Sequence, residues 1–136
     1  MKSIALAFVL LFSSTVAAQS QHASATREIG QLFVVLERSG CQFYRNGSWH
    51  NSKQAASHLR RKYDYLAKKG LVTTTESFID LAATKSSVSG KPYMVKCPDA
   101  AAVESKVWLT HKLVGLRSAG AGANNSFKPK PLRGSA

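Results

Sequence analysis

The chain has 136 residues, of which 19 are Lys or Arg and 7 are Asp or Glu, giving a formal net charge of +12. This length suits a single domain, and so few carboxylates leave little room for catalysis by paired acids. A positive excess of this size attracts anionic partners, although a solvated basic surface with no dedicated ligand has the same composition.

The first 18 residues have the pattern of a secretory signal peptide. Lys2 gives a positive start, residues 4–12 form an apolar run, and Val16-Ala17-Ala18 supplies the small residues of a cleavage site. The apolar run is too short to cross a bilayer, and no later stretch is apolar enough to do so. We therefore expect a periplasmic or secreted protein, cleaved near Ala18, whose mature chain carries a net charge of +11.

Four amphipathic helices are predicted in residues 24–38, 51–69, 73–83 and 102–116. Ser24 is the expected N-cap of the first helix, while Asn51 with Gln54 and Thr73 with Glu76 form capping boxes for the second and third. The apolar spacing of the fourth helix predicts an inward face made of Val103, Val107, Leu109, Leu113 and Leu116.

Two cysteines, Cys41 and Cys97, follow the predicted signal peptide. An oxidising compartment favours a disulfide between them, and loop entropy assigns such a long closed loop roughly 4 kcal/mol of stabilisation. A reactive or metal-binding pair is the alternative, but neither a CxxC motif nor a histidine cluster accompanies these cysteines.

Two short strands are predicted, in residues 41–45 and 92–97, and the first ends at the turn signal Asn46-Gly47. If the cysteines face each other on antiparallel strands, Phe43 pairs with Val95 and Tyr44 pairs with Met94. A two-stranded ribbon is marginal alone and needs the helices to cover it.

The predicted fold is therefore a small α+β domain in residues 19–117, with a two-stranded antiparallel ribbon, about four helices and one disulfide. The composition changes beyond Ser118 to Gly, Pro, Asn and Lys, which predicts a disordered basic tail in residues 118–136.

His58 lies beside the apolar stripe of the second predicted helix, where a histidine acts as a base or simply bonds to a nearby loop. A hydrolase would pair it with Ser86 or Ser89, but no nucleophile-elbow pattern surrounds these serines. The loop at residues 86–91 is not a P-loop, and we interpret it as a plain turn, with an anion nest of the backbone N–H groups at residues 87–90 as the alternative. The histidines lack metal-ligand spacing, so neither a metal nor a cofactor is expected.

The runs FYRNG, AASHLRRKY, TTESFID, SSVSGKPYMV and VWLTHKL, in this order, resemble the YfeK-like family of small exported bacterial proteins. The resemblance covers about residues 26–116 and implies a periplasmic address and a shared fold, but no activity. The polar and amphipathic positions of the family pattern form what we term the candidate surface: Arg45, Asn46, His58, Lys62, Ser86, Ser89 and Tyr93.

The predicted ribbon places Arg45 across from Tyr93 and brings the turns at Asn46-Gly47 and Ser89-Gly90 to the same end. The candidate surface is then either a ligand site or a polar network that joins the two loops.

We predict a non-enzymatic exported binding or envelope-associated module, with no assigned catalytic residue and no assigned oligomeric state. Its partner would be an anionic envelope component or another protein. The alternatives are a small Ser/His hydrolase and an inhibitor of an acidic cell-wall enzyme. Nucleic acid is not favoured, because no recognised binding motif is present.

Overall fold

The computed structural model describes residues 15–125, with the predicted α+β class and four helices. None of the described helices is both long enough and apolar enough to span a membrane. The predicted signal peptide lies outside the described residues except for residues 15–18. The elements, in chain order, are α1 (Thr15–Arg38), β1 (Gln42–Arg45), β2 (Ser48–Asn51), α2 (Ser52–Lys68), α3 (Thr75–Ala82), β3 (Met94–Lys96), β4 (Val103–Glu104) and α4 (Ser105–Asn125).

The sheet has four antiparallel strands in the order β2-β1-β3-β4, so the predicted two-stranded ribbon is its centre only. The predicted register is confirmed, because Phe43 pairs with Val95 and Tyr44 with Met94. The predicted disulfide between Cys41 and Cys97 is present beside this ladder.

The edge strand β2 forms a hairpin with β1 through a turn of two residues. Arg45 pairs with Ser48, and both Asn46 and Gly47 have positive φ angles of 50° and 88°. Those angles are typical of the type I′ turn, whose twist matches that of the flanking strands. The turn signal Asn46-Gly47 therefore connects two strands of a hairpin, and the predicted ribbon lacks the second of them, β2.

The other edge strand, β4, replaces the predicted first turn of the last helix. Val103 pairs with Val95 in the sheet, and α4 begins only at Ser105. The prediction that Val103 and Val107 face inward is wrong, since they are 39% and 59% exposed. Trp108, next along the helix, is buried instead.

Of the other three helix starts, two differ from the prediction and one agrees with it. Asn51 and Gln54 form the predicted reciprocal capping box of α2. The box of α3 consists of Thr74 and Ser77, one residue later than predicted, because the Ser77 hydroxyl group bonds back to the cap. The first helix begins upstream of Ser24, which therefore does not cap it.

At its other end, α4 extends to Asn125 and so includes residues 118–125 of the predicted disordered tail. Lengthening an existing helix needs no new nucleus, and this segment contains several alanines. Residues 118–123 of this extension are exposed. Residues 126–136 of the predicted tail lie outside the described residues.

One face of α1 provides the centre of the hydrophobic core, with Ile29, Leu32 and Leu36 each 1% exposed. These residues pack in one cluster with Phe78 of α3 and Leu109 of α4. Each of these side chains contributes roughly 1.5–3 kcal/mol by leaving water. The core therefore joins these three helices.

A polar contact between helices lies at the far end of the core, centred on Arg117 of α4. Its guanidinium group donates two hydrogen bonds of 2.9 Å to the carboxylate of Glu28 and one of 2.6 Å to Glu76. The hydrogen bonds from Arg117 hold the pKa values of Glu28 and Glu76 below their ordinary range. This ion cluster joins α4 to α1 and α3.

The disulfide closes a loop between cysteines 56 positions apart in the sequence. Replacing Cys41 and Cys97 together by Ala should lower the free energy of unfolding by about 4 kcal/mol, because the unfolded chain regains loop entropy. Urea unfolding followed by circular dichroism would measure this change. Native protein with a reducing agent should show a similar loss, and a change below about 1 kcal/mol would contradict the loop-entropy argument.

Candidate functional site

The structure brings all seven residues of the candidate surface to one end of the sheet. Arg45 ends β1 and Asn46 follows it in the turn, while His58 and Lys62 lie one turn apart on α2. The other three come from the segment between α3 and β3, where Tyr93 directly precedes β3. Residues far apart in the sequence thus form one group.

His58 lies at the centre of this group. The Nη1 atom of Arg45 is 3.2 Å from Nδ1 of His58, and Nε2 of His58 is 3.4 Å from the hydroxyl oxygen of Tyr93. An arginine side chain can only donate, so we assign Nδ1 as the acceptor and place the imidazole proton on Nε2. In this tautomer His58 accepts from Arg45 and donates to Tyr93.

The surroundings of His58 favour its neutral form. Burial, followed by the charges of Arg45 and Lys62, lowers the pKa of His58 from 6.5 to about 4. The imidazole is therefore uncharged at neutral pH, as its acceptor role towards Arg45 requires.

Lys62 reaches the same tyrosine from the next turn of α2. Its ammonium group donates to the hydroxyl group of Tyr93 and to the backbone carbonyl of Lys85, each at 3.4 Å, and lies 5.2 Å from the centre of the Tyr93 ring. Burial is the main cause that lowers the pKa of Lys62 and raises that of Tyr93. The Tyr93 hydroxyl oxygen therefore accepts from both Lys62 and His58.

A direct hydrogen bond joins the two turns. The hydroxyl group of Ser89 donates to the side-chain oxygen of Asn46 at 3.0 Å. The hydroxyl oxygen of Ser86, which is 3% exposed, accepts from the N–H groups of Val88 and Ser89 at 3.2 Å. The N–H group of Gly90 donates to the Ser86 carbonyl, so these N–H groups bond within the loop, which favours the plain turn over the anion nest.

These contacts give no support to a Ser/His pair. Both ring nitrogens of His58 face Arg45 and Tyr93, and neither Ser86 nor Ser89 is hydrogen-bonded to the imidazole. A nucleophile activated by this histidine would need such a bond.

A cleft of about 450 Å³, which we term the main cleft, opens between α2 and the hairpin. Its floor is buried and mostly apolar, with Phe43, Ala55, Leu59 and Tyr93, and its rim is exposed. Several residues that line the main cleft were not predicted as site residues. They include His50, Lys53, Gln54, Ser57, Arg61 and Ser105. Gln54 and Arg61 lie one helical turn from His58, so helical spacing could have indicated them as site residues. No local sequence pattern indicates that Ser105 belongs to the site.

The main cleft has a strongly positive lining. Arg45, Lys53 and Arg61 carry the positive charge, and no residue that lines the cleft is acidic. The ion pairs found within the described part of the chain involve other cations, namely Arg60 with Glu37, Lys106 with Asp80 and Arg117 with Glu28 and Glu76. The positive charge of the cleft therefore lacks a carboxylate partner among the described residues.

A second cleft of about 270 Å³ adjoins the main cleft. It shares His58 and Arg61 with the main cleft and is also lined by Lys62, Tyr65 and Leu81. His58 therefore forms part of the wall between the two spaces.

Comparison with known proteins gives two matches over most of this domain. The family described as "Family of unknown function (DUF5329)" matches residues 23–117. The "Uncharacterized protein YfeK" of Salmonella typhimurium is 36% identical over 94 residues, which cover 68% of this chain and 77% of that protein. No solved structure matches the chain.

The low pKa of His58 predicts a pH-dependent stability. As the pH falls from 6.5 towards 4, the unfolded chain takes up a proton at His58 but the folded protein does not. The free energy of unfolding should therefore fall over this range, by on the order of 1 kcal/mol after allowing for solvent screening. Two-dimensional NMR titration of the imidazole and urea unfolding at several pH values would measure both effects. The variant His58→Gln should lack this part of the pH dependence, and a pKa near 6.5 in the native protein would contradict the prediction.

The hydroxyl group of Tyr93 should contribute to stability through its two hydrogen bonds. Tyr93→Phe removes the acceptor of Lys62 and His58 and should lower the free energy of unfolding by about 1–2 kcal/mol. Tyr63→Phe is the matched control, because the Tyr63 hydroxyl group makes no hydrogen bond to another described residue. Equal effects of the two variants in urea unfolding would show that the network around Tyr93 adds nothing.

Proposed function

The chain belongs to DUF5329, a family of unknown function, and we propose that it is an exported, non-enzymatic binding module whose main cleft receives the anionic group of its ligand. The observation that carries this proposal is the uncompensated positive charge of the main cleft. Arg45, Lys53 and Arg61 line it, and no carboxylate lines it with them.

The arginine at the end of β1 is well placed for such contacts. Its bond to His58 is the single hydrogen bond that the Arg45 side chain makes to another described residue, so most of its N–H donors remain available. Arginine recognises carboxylate and phosphate groups through paired N–H donors. The cleft walls also exclude part of the solvent, which strengthens attraction between opposite charges.

The candidate surface supports this role by fixing the wall of the cleft. The bonds of His58 to Arg45 and Tyr93 hold the guanidinium group in one orientation. A neutral His58 adds no charge of its own, yet it positions a cation. The polar network and the ligand site are therefore two roles of one group of residues.

Export is supported by the signal-like pattern of residues 1–18 and by the Cys41–Cys97 disulfide, a bond typical of oxidising compartments. Anionic lipids and polymers of the cell envelope are the partners that such a location would offer. The mature protein, with a net charge of +11, would be drawn towards them.

The double variant Lys53→Gln/Arg61→Gln should bind a small anion about tenfold more weakly than the native protein. Each lost contact of an exposed charge accounts for about 0.5–1 kcal/mol, and together they approach a factor of ten. The measurement is an amide NMR titration with inorganic pyrophosphate at low and at physiological salt.

The control, Arg27→Gln/Lys96→Gln, removes the same charge from exposed sites outside the main cleft. It should leave the affinity within about twofold, because distant exposed charges are screened. If both variants weaken binding equally, or if all shifts disappear at physiological salt, the charge is a general surface property and the proposal fails.

A further inference from the structure

Three side chains that line the main cleft come from neighbouring positions across the sheet. The β1–β3 register, extended by one pair, places Arg45 beside Tyr93, and the β3–β4 register, also extended by one pair, places Tyr93 beside Ser105. The backbone N–H group of Ser105 confirms the second neighbour, because it donates to the Tyr93 carbonyl at 2.8 Å. Directly opposite residues of an antiparallel sheet share one face. Arg45, Tyr93 and Ser105 thus lie in one row facing the cleft.

The cleft is divided between an apolar floor and a cationic rim. Phe43, Leu59 and Ala55 are 6%, 5% and 9% exposed, whereas Lys53 and Arg61 are exposed. Small-molecule sites are typically mostly apolar, with a few placed polar groups, and have volumes of about 300–1,000 Å³. The main cleft, at about 450 Å³, has this size and this division.

Ser105 is the polar group of the floor that has no partner of its own. The residue is 2% exposed, and its hydroxyl group makes no hydrogen bond to another described residue. No fully buried polar side-chain atom in the described part of the chain lacks a partner, so the Ser105 hydroxyl group must reach the open space. That space is the main cleft, which Ser105 lines.

We infer that the main cleft binds a small amphiphilic anion of about ten to twenty non-hydrogen atoms in all, namely a carboxylate or phosphate carried on an apolar body. The inference rests on the proposed function and adds the chemistry of the rest of the ligand. The acid group contacts Arg61 and Lys53 at the rim, the apolar body lies on Phe43 and Leu59, and Ser105 offers one hydrogen bond from the floor.

The floor distinguishes this ligand from a bare ion or an acidic polymer. A bare ion would use the rim alone, and a polymer would spread over the exposed lysines and arginines of the surface. An apolar body gains from the floor, because each methylene group taken out of water raises the affinity about fourfold. The apolar body fills the space between the exposed rim and the buried floor.

The test compares octanoate, acetate and octanol as probes of the native protein by NMR titration at physiological salt. Octanoate should bind at least about tenfold more tightly than acetate, since its chain reaches the floor, and at least about tenfold more tightly than octanol, which lacks the charge. Nuclear Overhauser contacts should connect the octanoate chain to Phe43 and Leu59. Lys53→Gln/Arg61→Gln should weaken octanoate binding about tenfold.

A second variant separates the floor from the rim. Ser105→Leu fills the floor and should abolish the gain of octanoate over acetate, while pyrophosphate still binds at the rim. The contacts to Phe43 and Leu59 are measured in the native protein and therefore decide the matter even if this variant fails to fold.

Each outcome of the comparison has a distinct meaning. If octanoate binds no better than acetate, or contacts neither Phe43 nor Leu59, the inference is overturned, and pyrophosphate binding at the rim would leave the proposed function standing. If octanol binds as tightly as octanoate, the cleft has no preference for anions, and the proposed function fails together with the inference.

Discussion

The pairing of β1 with β3, closed at one end by the Cys41–Cys97 disulfide, is the constraint on which the rest of the site depends. It sets the register, and the register sets which residues meet at the other end of the strands. The connection to the helix leaves little freedom as well, since Asn51 is both the last residue of β2 and the N-cap of α2. His58 therefore lies at a fixed place relative to Arg45, and the wall of the main cleft is set by backbone geometry before any side chain makes a contact.

The site holds cations without the usual acidic partner. Arg45 and Lys62 are stabilised by neutral acceptors, which are an imidazole nitrogen, a phenol oxygen and a backbone carbonyl oxygen. Partial burial of a charge with only neutral acceptors is less favourable than burial beside a carboxylate. The free energy that the hydrophobic core supplies must offset this cost. What results is a set of donors already in place, so that a ligand would not have to order them.

The sequence was informative wherever a pattern is local or is fixed by a covalent bond. The capping box at Asn51 follows from four consecutive residues, and the pairing of Phe43 with Val95 follows from the disulfide. The strand β4 could not be found in this way, because its two residues are extended only through pairing with the free edge of β3. For the same reason, no sequence pattern indicated Ser105 as a site residue, since the pairing of β4 with β3 is what places it at the cleft. The polar candidates came from the resemblance to the YfeK-like family, and the fold brings them together at one end of the sheet.

The long first helix has a consequence for how the protein tolerates processing. Residues 18–23 of α1 are exposed, and Ala25 is the first residue of that helix known to be buried. A peptidase cutting near Ala18 would shorten the start of α1 and leave its buried positions, from Ala25 onward, in the chain. The new terminal ammonium group would meet the positive end of the helix dipole, which disfavours the first turn. The mature chain would then begin with a short exposed segment whose first helical turn is weakened. Cleavage a few residues earlier or later would leave the folded domain unchanged.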